Sequence, residues 1–268
     1  MTKGDKMKIT DAHAHIFPEK IAEKATHSIS EFYSDEPMEH MGNTEGLLKS
    51  GRAAGVSRYV VFSTATTAKQ VPKINEFIIG EAEKHSEFVP VGTMHADYEQ
   101  YEEEIERIYA AGVRGIKLHP DFQKFNIDDE RMFPIYRLLE KKGMFVITHS
   151  GDYRYGFSHP QRVANVAGRF KKLKISAAHC GGWSQWDIAP KYLVLPNVYV
   201  DTSSTFGFSG KETVENAIRC FGEDKVFFGT DFPMWDHKSE LENMYSLNLK
   251  SSVLEKILSR NFDEFYEA

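Results

Sequence analysis

Residues 8–16 read Lys-Ile-Thr-Asp-Ala-His-Ala-His-Ile, a short β-prone run that ends in two histidines separated by one residue. Side chains two positions apart on a β-strand project to the same side, so His13 and His15 are expected to point at one spot. An open, doubly wound sheet would normally carry a glycine-rich phosphate turn after its first strand, whereas this run ends in His-Ala-His. The run therefore predicts a first strand that delivers two imidazoles to a shared site.

The same kind of run recurs along the chain, each time followed by a longer stretch with helical spacing of apolar residues. Seven further strand candidates lie at 57–64, 88–96, 113–119, 144–150, 174–180, 198–204 and 225–231. Helix candidates lie at 98–111, 131–142, 213–221 and 252–266. Strands that alternate with helices predict parallel strands joined by crossover helices.

Eight strand-helix units in 268 residues favour an α/β fold of the (β/α)8 TIM-barrel type, a single domain spanning 1–268. Closure of such a barrel would pair 8–16 with 225–231, and the open sheet is the structural alternative. The interval 17–55 is longer than one barrel helix requires and is polar and turn-prone around 34–46. We expect a lid or specificity loop there, with an ordinary surface excursion as the alternative.

Composition limits the class of protein. The hydrophobic fraction of 41% and the charged fraction of 27% are ordinary for a globular domain. The net charge of −6 argues against a nucleic-acid partner. Cys180 and Cys220 show no paired spacing that would indicate a disulfide framework or a cysteine zinc site. Without an apolar signal core or membrane span, we expect a cytoplasmic protein with a small-molecule substrate and no membrane partner, and the sequence leaves a homo-oligomer open.

Six of the eleven histidines fall at or near the carboxyl ends of predicted strands: His13, His15, His95, His119, His149 and His179. Catalytic groups of a TIM barrel gather at that face. Asp231 ends the eighth strand, which closure places beside the first. Neutral imidazoles and a carboxylate are good ligands for zinc and similar ions, so His13, His15, His149 and Asp231 predict a mononuclear metal site. The alternative is a set of barrel-filling polar residues satisfied by hydrogen bonds.

Five motifs carry a resemblance to a known family. They are Asp11-Ala12-His13-Ala14-His15, Gly115-Ile116-Lys117-Leu118-His119-Pro120, Thr148-His149-Ser150-Gly151, Ala178-His179-Cys180-Gly181-Gly182 and Phe228-Gly229-Thr230-Asp231-Phe232-Pro233. In this order the chain resembles the amidohydrolase superfamily, in particular its amidohydrolase-related branch, which includes the aminocarboxymuconate-semialdehyde decarboxylase-like group. The resemblance implies that His13, His15, His149 and Asp231 bind a divalent metal. We expect Zn²⁺, with Mn²⁺ or another ion as the alternative.

The resemblance also implies a reaction. The leading expectation is a metal-dependent hydrolase that cleaves a C–N or C–O bond of a small polar substrate through a metal-activated water. Asp231 would shuttle the proton and His179 would polarise the substrate carbonyl. The alternative is a non-oxidative decarboxylase of an aromatic or unsaturated carboxylic acid. A non-catalytic metal- or ligand-binding barrel is a third class, which the presence of both Asp231 and His179 disfavours.

The remaining polar residues near the strand ends are assigned by position. His119 lies nearer the mouth than Lys117, so we expect His119 to contact substrate and Lys117 to be a buried charge beneath the site. Arg154 follows the fifth strand and would match a substrate carboxylate, although most loop arginines form surface ion pairs. His95 is expected to line the pocket, with a structural core histidine as the alternative. Asp201 is expected to be structural rather than catalytic.

Overall fold

The computed structural model describes residues 7–267, so the first six residues and Ala268 of the predicted domain lie outside the described part. It contains nine strand segments: β1 Thr10–His15, β2 Arg58–Phe62, β3 Phe88–Pro90, β4 Gly92–Thr93, β5 Gly115–Leu118, β6 Phe145–Thr148, β7 Ile175–Ala177, β8 Val198–Asp201 and β9 Val226–Phe227. Segments β3 and β4 form one strand, because Val91 between them donates its backbone N–H to the Val61 carbonyl at 3.0 Å. Eight strands therefore result, each shorter than predicted.

Consecutive strands pair in parallel from β1 to β3 and from β4 to β9. The ring closes where Ala12 donates its N–H to the Phe228 carbonyl at 2.9 Å and Asp231 donates its N–H to the His13 carbonyl at 2.9 Å. A Cβ on Gly229 would lie 2.9 Å from the Cβ of His13, so glycine allows the first and last strands to approach. The predicted (β/α)8 barrel is confirmed.

Helices of the usual barrel type surround the strands. They are α1 Glu19–Phe32, α2 Thr44–Ala54, α3 Val71–Lys84, α4 Tyr101–Ala110, α5 Pro120–Gln123, α6 Phe133–Lys142, α7 Pro160–Arg169, α8 Ala189–Leu193, α9 Thr205–Ser209, α10 Lys211–Phe221, α11 His237–Ser246, α12 Ser251–Glu255 and α13 Asn261–Glu267, with a π-helical turn at Lys256–Arg260. The predicted helix 252–266 is thus three consecutive helical segments. No helix within residues 7–267 is long and apolar enough to cross a membrane.

The interval 17–55 holds two helices where the sequence suggested a long loop. Helix α2 begins at a cap in which the Asn43 side chain accepts the Gly46 N–H at 2.8 Å, and it ends at Gly55 in the left-handed region with φ 84°. Helix α1 precedes it and supplies one wall of the cavity above the strand ends. The polar stretch predicted at 34–46 corresponds mainly to the connection between the two helices.

The barrel interior below the site is filled with apolar side chains. Phe62 lies in edge contact with the rings of His13 and His15. It belongs to a buried cluster with Phe145 and Phe227, against which helix α13 packs Phe262 and Phe265. The histidines therefore lie above a packed apolar layer, at the carboxyl ends of the strands.

Glu240 on α11 is a buried acid whose protonation should affect stability. It is 1% exposed, its Oε1 accepts from Asn243 at 3.1 Å, and its Oε2 has no hydrogen-bond partner among residues 7–267. Burial raises the pKa of Glu240 to about 8. The folded state therefore retains a proton that the unfolded chain releases near pH 4.5, so this group should reduce stability as pH rises from about 5 to about 8.

Replacement Glu240→Gln should remove this loss, because the amide resembles the protonated acid. Urea unfolding at pH 5, 6.5 and 8.5 should show wild type losing stability relative to the variant by roughly 1.4 kcal/mol per pH unit over part of that range. Glu242→Gln on the same helix is the control, since Glu242 is largely exposed. Parallel pH profiles for wild type and Glu240→Gln would contradict the assignment.

Candidate metal centre and active site

Three donor groups meet at the carboxyl end of the barrel: His13 and His15 on β1, and Asp231 after β9. Nε2 of His13 lies 3.3 Å from Asp231 Oδ1, and Nε2 of His15 lies 3.4 Å from the same oxygen. Donor atoms on a tetrahedral ion with bonds of about 2.1 Å are separated by about 3.4 Å. The spacing of these three groups therefore fits one bound ion.

The orientation of His13 is fixed by an acid on the opposite side of its ring. Nδ1 of His13 lies 3.0 Å from Oδ2 of Asp201. The other carboxylate oxygen of Asp201, Oδ1, accepts the backbone N–H of His179 at 3.2 Å. Because a carboxylate can only accept, Nδ1 of His13 carries the proton and Nε2 presents a lone pair to the site. Asp201, expected to be structural, thus positions a candidate ligand.

His149 and His179 form a second pair of rings, in which each ring donates from one nitrogen to a backbone carbonyl. Nε2 of His149 donates to the Gly151 carbonyl at 3.1 Å, and Nδ1 of His179 donates to the Ser203 carbonyl at 3.1 Å. The two inner nitrogens, Nδ1 of His149 and Nε2 of His179, face each other at 3.0 Å. In neutral rings with these outer donors both inner nitrogens carry lone pairs, so either could accept a proton or bind a cation.

Burial keeps these rings neutral. It lowers the pKa of His15 and of His179 to about 4 each, and it lowers the pKa of His149 well below the usual range. Neutral imidazole is the form that binds a metal ion. The donor set of His13, His15 and Asp231 therefore fits a divalent ion.

His149 does not lie within the compact group of His13, His15 and Asp231. Instead, one of its ring nitrogens lies within 4.8 Å of one carboxylate oxygen each of Asp121 and Asp152, and these three residues form a second candidate group. Asp152, however, is occupied by Arg154, whose Nη2 and Nε donate to its two oxygens at 2.8 and 3.0 Å. Membership of His149 in the metal centre remains a prediction.

Lys117 and His119 lie at the two levels that the sequence suggested. Nζ of Lys117 is fully buried, 3.0 Å from Nε2 of His13, and burial lowers the pKa of Lys117 to about 8. His119 lies higher and stacks on His149 with ring centroids 4.1 Å apart. Both residues line the cavity, so either can meet a bound ligand.

The cavity above these groups measures about 1060 Å³ and extends outward between α1, the segment after β2 and α3. Tyr33, at the carboxyl end of α1, projects into it with its hydroxyl 3.4 Å from Nε2 of His119. Phe17 and Phe122 add aromatic surface to the wall. Sequence reasoning missed Tyr33, because nothing in the local pattern shows that a helix outside the barrel repeat reaches the site.

Arg154 and His95 are not among the residues that line the cavity. Arg154 binds Asp152 and donates from Nη1 to the Phe32 carbonyl at 2.6 Å, which ties the loop after β6 to the end of α1. Nδ1 of His95 accepts the backbone N–H of Asp97 at 3.1 Å. Neither residue lines the cavity as described, so their predicted contact with substrate has no support in this geometry.

Comparison with known proteins agrees with this architecture. The sequence profile of the family described as Amidohydrolase matches residues 10–267. The chain belongs to the amidohydrolase family. No curated protein matches it. The resemblance drawn from the five motifs is confirmed. The chain is therefore an enzyme of the amidohydrolase superfamily.

Solved structures similar to this amidohydrolase include an uncharacterised TIM-barrel protein from Bordetella bronchiseptica, with 21% identity, a TM-score of 0.79, and coverage of 96% of this chain and 98% of that one. The 5-carboxyvanillate decarboxylase of Sphingomonas paucimobilis shows 14% identity and a TM-score of 0.77, with 97% and 99% covered. The dihydroxybenzoic acid decarboxylase of Polaromonas sp. JS666, solved with manganese and 2-nitroresorcinol, shows 13% identity and a TM-score of 0.76, with 98% and 97% covered.

Proposed function

We propose that this amidohydrolase is a metal-dependent, non-oxidative decarboxylase of an aromatic or unsaturated carboxylic acid. The observation that carries the proposal is the aromatic surface that Phe17, Tyr33 and Phe122 contribute to the same cavity that His13, His15 and Asp231 line. Flat aromatic side chains favour a flat substrate. The similar solved structures that are named as aromatic-acid decarboxylases support this choice over the hydrolase expected first.

Decarboxylation consumes one proton for each CO₂ that is released. The bond between the carboxyl carbon and the ring or vinyl carbon breaks, its electron pair stays on the latter carbon, and that carbon takes up one proton as CO₂ leaves. Asp231 and His179 both line the cavity, and Oδ2 of Asp231 lies 4.0 Å from Nδ1 of His179. The proton would come from a solvent water, which leaves as hydroxide, and Asp231 or His179 would relay it to the carbon.

The ion would be held by His13, His15, His149 and Asp231, and when bound it would supply a Lewis-acidic anchor for the substrate carboxylate. Buried Lys117 adds positive charge beneath the same point. His119 and Tyr33 would contact the substrate from above. Three imidazoles and a carboxylate suit several ions. Similar structures are solved with manganese, so manganese is a better first choice for loading than the zinc expected from sequence.

Helix α1 and the connection after it would act as the specificity lid predicted for 17–55. Its inner face supplies Ile21, Ala25, Ile29 and Tyr33 to the cavity wall. The Arg154 contact to the Phe32 carbonyl would hold the lid against the barrel.

A matched panel separates decarboxylation from hydrolysis. Manganese- and zinc-loaded protein would be incubated with ¹³C-carboxyl-labelled hydroxybenzoic acids, including 2,6-dihydroxybenzoate and 5-carboxyvanillate, and with the methyl esters and amides of the same acids. We expect labelled CO₂ from at least one acid, dependent on added metal, with the esters and amides unchanged. Hydrolysis of an ester or amide without CO₂ release from any acid would contradict the decarboxylase proposal and favour a hydrolase.

A further inference from the structure

The outer part of the cavity carries positive charge that the proposed decarboxylation does not use. Lys20 and Lys24 of α1 and Lys73 of α3 line it, and each is exposed. None of the three forms an ion pair within residues 7–267. We call these three residues the lysine rim.

Local structure does not account for the lysine rim. Lys20 and Lys73 lie in the first turns of their helices, where the helix dipole disfavours a cation. Lys20 and Lys24 are four residues apart, so their like charges repel on one helix face.

The cavity between the lysine rim and the histidines is large and nearly free of negative charge. Asp231 is the single carboxylate on its described lining, and it is engaged by His13 and His15. At about 1060 Å³ the cavity is at the upper limit of the usual range of roughly 300–1,000 Å³ for small-molecule sites, more than one benzoic acid needs. Thr64 on the same wall has a buried hydroxyl without a partner among residues 7–267.

We infer that the substrate is an extended acid whose end remote from the reacting carboxylate bears a second anionic group, a carboxylate or a phosphate, bound by Lys20, Lys24 and Lys73. The inference rests on the proposed decarboxylase function and adds the class of its substrate. The rim would attract the remote anion electrostatically and hold it, while the reacting carboxylate occupies the ion side of the cavity.

The test uses ligands that cannot lose CO₂. They are 2-nitrophenols that carry, para to the hydroxyl, a three-carbon chain ending in a carboxylate, a phosphate or a methyl amide. Binding to manganese-loaded protein would be measured by calorimetry at 50 and 300 mM NaCl. The variant is Lys20→Gln/Lys24→Gln/Lys73→Gln, and the control is Lys141→Gln/Lys171→Gln/Lys211→Gln, three exposed lysines outside the cavity with the same change of net charge.

We expect at least one anionic ligand to bind on the order of 10-fold more tightly than the amide at low salt. This preference should shrink at high salt and disappear in the rim variant but not in the control. The larger preference identifies the remote group as carboxylate or phosphate. Equal binding of all three ligands, or a preference that survives in the rim variant, would overturn the inference and leave the decarboxylase intact. Failure of all three ligands to bind would count against the decarboxylase itself, and the inference would fall with it.

Discussion

His13→Ala is expected to abolish stoichiometric metal binding and, with it, turnover. His13 supplies a lone pair 3.3 Å from Asp231 and is held by Asp201 on its other side, so its loss removes one ligand and the anchor of the strand-end geometry. Loss of a residue that merely orients a ligand costs 10–100-fold in metal affinity, so loss of the ligand itself should cost more than about 100-fold. The measurements are metal content by elemental analysis and a manganese titration.

His27→Ala is the matched control, because His27 lies on the exposed side of α1 with 71% of its side chain accessible. It should keep full metal content and activity. Full metal occupancy in His13→Ala would mean that the ion is held elsewhere, and the metal centre described above would be wrong.

His179→Asn is expected to keep the ion and lose activity by on the order of 10²-fold or more, the usual scale for a positioned acid-base or oxyanion group. His179 lines the cavity, and its Nδ1 is fixed by the Ser203 carbonyl. Asparagine keeps a polar side chain in a smaller volume, so the barrel should remain folded. Turnover on the acid identified by the panel would be measured beside metal content and circular dichroism.

The competing possibility is that His179 binds the ion, because its Nε2 lies 3.0 Å from Nδ1 of His149. If metal and activity fall together in His179→Asn, His179 is a ligand rather than a group that acts on substrate. Unchanged activity would make it structural, and proton transfer would then rest on Asp231 alone.

The barrel could be predicted from the sequence because the patterns that indicate it are local. The spacing of His13 and His15 follows from the two-residue period of a strand, and closure beside Asp231 follows from eight repeats. Both appear in the structure, where Asp231 donates its N–H to the His13 carbonyl. The strands are shorter than predicted because the chain leaves the ladder to build the site. Asp231 itself has a positive φ of 62° and lies beyond the last strand.

The parts that could not be predicted depend on contacts between distant segments. Asp201 orients His13 across 188 positions, and no local pattern distinguishes it from an ordinary strand-end acid. Tyr33 enters the cavity from α1, in an interval whose polar composition suggested a loop. Arg154 looked suited to a substrate carboxylate, yet a carboxylate of the protein, Asp152, lies close enough to take its guanidinium.

Anomalous scattering at the manganese edge would show whether a single ion is held by residues from the first, fifth and eighth barrel strands. Crystals of manganese-loaded protein should show one peak, with His13, His15, His149 and Asp231 all within about 2.0–2.3 Å. His149 is the informative ligand, because it lies outside the compact group of His13, His15 and Asp231 and forms a second candidate group with Asp121 and Asp152. A peak among His149, Asp121 and Asp152, or one at His13, His15 and Asp231 with His149 outside bonding distance, would contradict the account.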